Sequence, residues 1–412
     1  MQTPLDSPRL FRLAEHYGTP LWVYDAETIR QRIRALKSFD VVRFAQKACS
    51  NTHILRLMHE EGVHVDAVSI GEIDRALRAG YATGPGITEI VFTADVIDPS
   101  TIAKVIAHHI PVNAGSIDML HQLGPHAPGH PVWLRINPGF GHGHHNKVNT
   151  GGESSKHGIW HKDLPEAIEV IRRYGLKLVG LHMHIGSGVD YRHLAHVCHT
   201  MVSLVKAAGH DLEAISTGGG LTVNYKDTDP VVDTDHYFGL WDEARKEIES
   251  VLGHPVHIEI EPGRYLTAES GLLLAEVRAT KAMGRNHFVL VDAGFNDLMR
   301  PSMYGSFHAI TVLPKDGSVR EARPTLVAGP LCESGDVFTQ EEGGVVSPHL
   351  LPAAQVGDLV VFHDTGAYGA AMSSNYNSRP LAAEVLLDGA RERLIRRRQT
   401  IEDLLALEEI GG

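Results

Sequence analysis

The sequence predicts an α/β chain: a (β/α)8 barrel over residues 26–265, with a second, C-terminal antiparallel β domain that an N-terminal strand completes. Three observations carry this. Between Val41 and Ile260 short apolar runs, about eight of them, alternate with amphipathic helical stretches. Polar residues and glycines collect after the C-terminal ends of those runs. Beyond Arg264 the helical pattern stops, and β-like runs separated by turn residues take over. The β domain, with its terminal helices, is therefore assigned 1–25 and 266–412.

In chain order, 7–17 reads as an amphipathic helix, with Ser7 as N-cap, Gly18 past the end and Pro20 beyond. Leu21-Trp22-Val23-Tyr24 is a short strand assigned to the β domain, so the barrel is inserted between that domain's first two strands. The first barrel strand starts at Val41 with no Gly or Pro and closes on Lys47; its alternation puts Val41, Arg43, Ala45 and Lys47 on one face. Further strands are expected at 63–68, 90–93, 111–114, 132–136, 177–185, 214–217 and 257–260. Helices are expected at 51–61, 69–79, 100–108, 164–174, 194–208 and 238–252; after the fourth and fifth strands no helix is convincing. The β domain reads as strands at 271–279, 288–292, 309–313, 325–328, 359–363, 382–387 and 393–397, then a helix over 401–409 capped by Thr400.

Composition narrows the function classes. With 43% hydrophobic and 21% charged residues over 412 positions, the chain is an ordinary globular one. A net charge of −12 argues against nucleic acid and against an anionic membrane surface as partners. The Arg396-Arg397-Arg398 run sits before an acidic helix and reads as a solvated face. Cys49, Cys198 and Cys332 are odd in number and far apart, which suits a reducing cytosol better than a disulfide framework. No signal-peptide pattern or membrane-length apolar run is present, and a cytoplasmic location is expected.

In a barrel of this kind, chemistry gathers where the strands end. Here those ends carry Lys47, Asp66, Asn113, Arg135, His182 and His184, Gly218-Gly219-Gly220, and Glu261-Pro262-Gly263-Arg264. Three glycines after a strand free backbone N–H groups to hold a phosphate, although tight turns need glycine too. Ser187 and the Gly263-Arg264 backbone can add donors to the same anion. His182 and His184, two apart, should face one way, which admits a rival reading as metal ligands. A metal-hydrolase site would want that pair early, with further His and Asp ligands on later strands. This chain offers a lysine early and glycines and Glu261 later, so no metal is expected. The Gly139-Phe140-Gly141-His142-Gly143-His144-His145 stretch could also bind a metal, but lacks a strand or helix to fix ligands. Through Thr150-Gly151-Gly152 it reads as a water-excluding lid over the site, with Lys156-His157-Gly158 re-entering the barrel.

A strand-end lysine, an imidazole, a phosphate cradle and a carboxylate together match the needs of pyridoxal 5′-phosphate. Five ordered motifs then resemble the fold-type III decarboxylases that use this cofactor, an alanine-racemase-like barrel plus β domain, over nearly the whole chain. They are Phe44-Ala45-Gln46-Lys47-Ala48, His184-Ile185-Gly186-Ser187, Glu261-Pro262-Gly263-Arg264, Leu331-Cys332-Glu333-Ser334-Gly335-Asp336 and Asp364-Thr365-Gly366-Ala367-Tyr368. Phe44 and Cys49 depart from the tyrosine and asparagine of many relatives, and flank the lysine without replacing it.

The resemblance implies decarboxylation of meso-2,6-diaminopimelate to L-lysine and carbon dioxide, the last step of bacterial lysine biosynthesis. It implies that Lys47 holds the cofactor, with Asp66 near that junction, Tyr368 near the phosphate, Glu261 on the ring nitrogen and His184 stacked on the ring. Cys332 would reach in from a partner subunit and deliver the proton that replaces carbon dioxide, which implies a homodimer with shared sites. Arg264, Arg300, Tyr304, Glu333 and Tyr368 would bind the substrate, arginine meeting its far carboxylate and glutamate its far ammonium. Two other classes stay open. A polyamine-pathway decarboxylase or racemase on the same scaffold would differ in product, and a non-catalytic homologue predicts loss of Lys47 or Cys332, both of which are present.

Overall fold

The computed structural model describes residues 6–141, 151–184, 186 and 190–408. The chain divides into two compact units, one of residues 30–223 and 231–266, the other of 1–29, 224–230 and 267–412.

Helix α1 (Ser7–Tyr17) and strand β1 (Leu21–Asp25) come first, followed by α2 (Ala26–Arg34). The α1 cap is Asp6, whose carboxylate accepts from the Arg9 N–H at 2.9 Å, and not Ser7. With Asp6 as cap, Pro8 falls in the first turn, where its missing N–H costs no intrahelical bond.

The first unit then alternates strand and helix: β2 (Val41–Ala45), α3 (Thr52–Glu60), β3 (His64–Ala67), α4 (Ile70–Ala79), β4 (Ile90–Ala94), α5 (Pro99–Ala107), β5 (Val112–Ala114) and α6 (Ile117–Leu123). It continues with β6 (Pro131–Asn137), β7 (Ile159–Trp160), α7 (Leu164–Tyr174), β8 (Lys177–His182), α8 (Tyr191–Ala208), β9 (Ala214–Ser216), α9 (Thr234–Leu252), β10 (His257–Ile260) and the single-turn α10 (Arg264–Thr267). Among the described residues, eight parallel strands close into a barrel in the order β2-β3-β4-β5-β6-β8-β9-β10, with β10 pairing back to β2. The two-residue β7 adds to β6 outside that ring. Side-chain caps fix where the helices start: Asn51, Ser69, Asp98, Ser116, Asp190 and Asp233 each accept a first-turn N–H. Ser116 thereby starts α6, a helix of seven residues that its sequence leaves unmarked before Gly124-Pro125 ends it. Deep in the barrel, Arg43 of β2 and Glu259 of β10 form a buried ion pair at 2.8 Å, and Arg43 Nη1 also donates to the Thr88 carbonyl at 2.7 Å.

The second unit is a mainly antiparallel sheet built from β1, β11 (Gly271–Met283), β12 (Asn286–Val291), β13 (Ile310–Leu313), β14 (Ala322–Ala328), β15 (His349–Pro352), β16 (Leu359–Phe362), β17 (Ala383–Asp388) and β18 (Arg391–Arg396). β1 lies between β11, to which it runs antiparallel, and β17, to which it is parallel; β12 and β14 form a second parallel pair. One face carries Leu21 and Val23, Leu272 and Leu274, and Ala383, Val385 and Leu387, the alternate positions of three neighbouring strands. Leu10 and Leu13 of α1 cover that face. A short helix, α11 (Arg300–Tyr304), follows β12, and α12 (Ile401–Leu405) starts with a reciprocal capping box between Thr400 and Asp403. No helix among the described residues is long and apolar enough to cross a membrane.

Candidate active site

The mouth of the barrel is where the polar strand ends converge. β2 stops at Ala45, and Gln46–Ala48 form a 3-10 turn. Lys47 therefore leaves the ladder, and its direction is set by the turn rather than by the alternation that groups it with Arg43. The turn is held by the Ala45 N–H donating to the Pro262 carbonyl at 3.2 Å and the Cys49 N–H to the Gln46 carbonyl at 3.0 Å. Lys47 is exposed, and its charge is felt by Asp66 and Glu72. Asp66 sits on β3 beside Ala45, is 4% exposed, and its Oδ1 has no hydrogen-bond partner among the described residues. Burial, and then the charge of Glu261, push its carboxyl up to about 7.

Glu261, one residue past β10, is shifted in the opposite direction. His182 Nε2 donates to its Oε2 at 2.8 Å and Ser216 Oγ to its Oε1 at 2.9 Å. Burial alone would raise this carboxyl, but His182 and Ser216 outweigh it and hold Glu261 below the usual range, as a carboxylate. His184 lies beyond the end of β8, so His182 and His184 do not act as a side-by-side pair: His182 is committed to Glu261, while His184 Nδ1 accepts the Gly219 N–H at 3.2 Å. Burial, with Arg135 and Lys47 nearby, keeps His184 well below its ordinary value, so the ring is neutral and carries its proton on Nε2.

The glycines answer to close quarters. Gly218 has φ +64°, and a side chain there would collide with the Met183 carbonyl and His184. One on Gly219 would meet the Glu261 carbonyl, and one on Gly220, at φ +115°, the Gly186 carbonyl. A side chain on Gly263 would come within 3.2 Å of the Ala45 carbonyl and the Ala48 methyl, and half-buried Arg264 opens α10 directly after it. Arg135, 8% exposed, lies within the charge field of Asp95, Glu261 and Asp66, and Asn113 Nδ2 donates to Thr93 Oγ1 at 3.3 Å. Ser187 and residues 142–150 of the expected lid fall outside the described residues. The base of that loop is clasped by Asn137, which donates to the Gly152 and His157 carbonyls and accepts the N–H groups of Gly139 and Gly152, at 2.9–3.2 Å. His157 Nδ1 pairs with Asp95 Oδ2 at 2.6 Å.

In the second unit, buried Arg300 and half-buried Tyr304 begin and end α11. Ser302 Oγ donates to the Gly335 carbonyl at 2.7 Å, and Gln340 Nε2 to the same oxygen at 3.0 Å, which ties α11 to the Cys332-Glu333-Ser334-Gly335 turn. Asp336 shapes that turn by accepting the N–H groups of Phe295 and Leu331, each at 2.7 Å. Cys332 and Glu333 are exposed there, and the Cys332 N–H donates to Asn377 Oδ1 at 3.1 Å. Tyr368 is half-buried and has φ +57°, a conformation that few non-glycine residues adopt.

This geometry has close counterparts. The family description "pyridoxal-dependent decarboxylase, pyridoxal binding domain" matches residues 26–268. The chain belongs to the pyridoxal-dependent decarboxylases. Within that family, diaminopimelate decarboxylase of Streptomyces coelicolor is 66% identical over 98% of this chain and 92% of its own. The enzyme of the same name from Escherichia coli K12 is 64% identical over 98% and 97%. A crystal structure of diaminopimelate decarboxylase superposes with a TM-score of 0.97 at 63% identity, covering 100% of this chain and 99% of that one.

The barrel mouth fits the family's cofactor on its own terms. The Gly218–Gly220 backbone makes a cradle that any Cβ would fill, next to a neutral imidazole, an ionised buried carboxylate and an exposed lysine. Ser216 belongs to the site without a motif to mark it, although the β9 alternation that turns Ala214 inward turns Ser216 the same way. The partnership of His182 with Glu261 has no sequence signal, because it depends on how β8, β9 and β10 are staggered. Asn137 and Asp95 carry no sequence signal beyond their places near strand ends.

Proposed function

We propose that this chain decarboxylates meso-2,6-diaminopimelate to L-lysine and carbon dioxide, using pyridoxal 5′-phosphate, as a cytoplasmic homodimer with shared sites. The observation that carries the reading is the charge state of Glu261: a buried carboxylate kept ionised by His182 and Ser216, at the same mouth as Lys47 and the glycine cradle. When bound, the cofactor supplies an aldehyde that joins an amino group covalently and a ring that takes up the electron pair left by departing carbon dioxide. Lys47 offers the amine for that junction, beside Asp66. The Gly218–Gly220 turn, with Ser187, Gly263, Arg264 and Tyr368, holds the phosphate. Glu261 meets the ring nitrogen with a full negative charge, and His184, fixed by Gly219, covers the ring face.

Barrel and β domain divide the work at the bounds 26–265 against 1–25 and 266–412. From the β domain, Cys332 holds a proton at Sγ and delivers it to the carbon that has lost carbon dioxide, acting on the partner's site. Arg300 and Arg264 recognise the far carboxylate, Glu333 the far ammonium, and Tyr304 and Tyr368 line the same end. When a substrate lacks that carboxylate, buried guanidinium donors lose their acceptor, which rejects ornithine more strongly than any change of volume would.

The test is to load the protein with pyridoxal phosphate, reduce with borohydride and map the labelled peptide. The label should fall on Lys47 and vanish in Lys47→Ala; a label on another lysine would contradict the assignment.

A further inference from the structure

Arg300 is 6% exposed, and a buried guanidinium is costly unless its N–H groups find acceptors. One nitrogen, Nη1, meets two: Tyr225 Oη at 3.1 Å and His308 Nε2 at 3.0 Å. For Nε2 of His308 to accept, the ring proton must sit on Nδ1. The His363 carbonyl, 2.9 Å from Nδ1, is the acceptor that fixes this tautomer. The guanidinium also lies over the Tyr225 ring, Cζ 4.9 Å from its centroid, so Tyr225 meets the arginine with both its oxygen and its face. The edge of one ring closes the triangle, with Tyr225 and His308 centroids 5.5 Å apart at 81°.

The loop that supplies Tyr225 is itself built to stay in place. Asn224 Nδ2 donates to the Asp229 carbonyl at 3.0 Å, and the Lys226 N–H donates to Asp229 Oδ2 at 2.9 Å. Lys226 Nζ sits 5.1 Å from the centroid of the Phe307 ring, beside His308. Residues 224–230 therefore pack as part of the second unit, although they follow the glycine cradle in sequence.

Tyr225 and His308 are neutral acceptors. They orient the guanidinium, and neither cancels its charge as a carboxylate would. We propose that Tyr225 and His308 are specificity-determining positioning residues, which fix Arg300 in the one orientation that receives the far carboxylate of a diamino dicarboxylate. The inference rests on the reading of Arg300 given above. A flexible arginine would pay for that ordering each time substrate binds; here the fold has done so beforehand.

Steady-state kinetics on the cofactor-loaded enzyme with meso-diaminopimelate tests this, with Arg300→Ala as reference and cadaverine, the corresponding diamine without carboxylates, as competing inhibitor. Tyr225→Phe should raise KM about tenfold or more, the scale of a lost hydrogen bond to a charged group, with kcat within about twofold. The inhibition constant of cadaverine should hold. His308→Leu should act in the same direction, and His308→Gln, whose amide oxygen can accept from Arg300, should recover most of the loss. If Arg300→Ala leaves KM unchanged, the assignment of Arg300 itself fails. If Arg300→Ala raises KM and Tyr225→Phe does not, that assignment stands and the positioning role is refuted. Loss of cadaverine binding in parallel with KM in Tyr225→Phe would refute it too, by pointing to general damage. Should His308→Leu not fold, Tyr225→Phe, which keeps the ring, decides alone.

Discussion

Asp66 and Glu261 are both buried at one barrel mouth, yet their carboxyls are shifted in opposite directions. Asp66, raised to about 7 by burial and by Glu261, favours the folded state at low pH, and that contribution is lost as pH climbs from about 4 through 7. Glu261, lowered, contributes stability above the ordinary carboxylate range that is lost as pH falls below it. Asp66→Asn in the cofactor-free protein should therefore flatten the decline of melting temperature between about pH 4 and 7. Parallel profiles for wild type and variant would show that Asp66 does not titrate there. Sequence alone marks Lys47, Asp66 and Glu261 because each lies near or just past the end of a strand. It cannot reveal which carboxyl stays charged, because that depends on His182 and Ser216 arriving from two other strands.

Among the elements, the turn after β9 leaves no room for a side chain at any of its three glycines. Gly219 donates to His184 and faces the Glu261 carbonyl, so one residue joins three strand ends. Gly219→Ala should push these ends apart and weaken pyridoxal phosphate binding by tenfold or more, on the scale of ~1–3 kcal/mol for overpacking. Equilibrium dialysis, with circular dichroism to show that the fold persists, measures it; unchanged affinity would mean that the turn is not the cradle. The Thr400 cap is legible because its side chain and the N–H target lie three residues apart. α6 is harder to read because it is short and ends at Gly124-Pro125. β15 is harder still, since it ends on Pro352, a residue that argues against a strand.

At the scale of the whole molecule, the order of elements is more legible than their neighbours. The pattern of strands places β1 with the later sheet, but only the register shows it between β11 and β17, parallel to the latter. If Lys47 and Cys332 serve one site from different subunits, Lys47→Ala and Cys332→Ala should each be inactive or slowed at least ~100-fold. Refolding the two together should then return part of the activity through mixed dimers that hold one intact site. Mixed dimers verified by mass and still inactive would contradict a shared site. The reaction itself is tested by carbon dioxide release from meso-diaminopimelate, L-ornithine and L-lysine, each offered to the cofactor-loaded protein. The predicted result is carbon dioxide and L-lysine in equal amounts from meso-diaminopimelate, with the other two at least ~100-fold slower; comparable release from L-ornithine would contradict it.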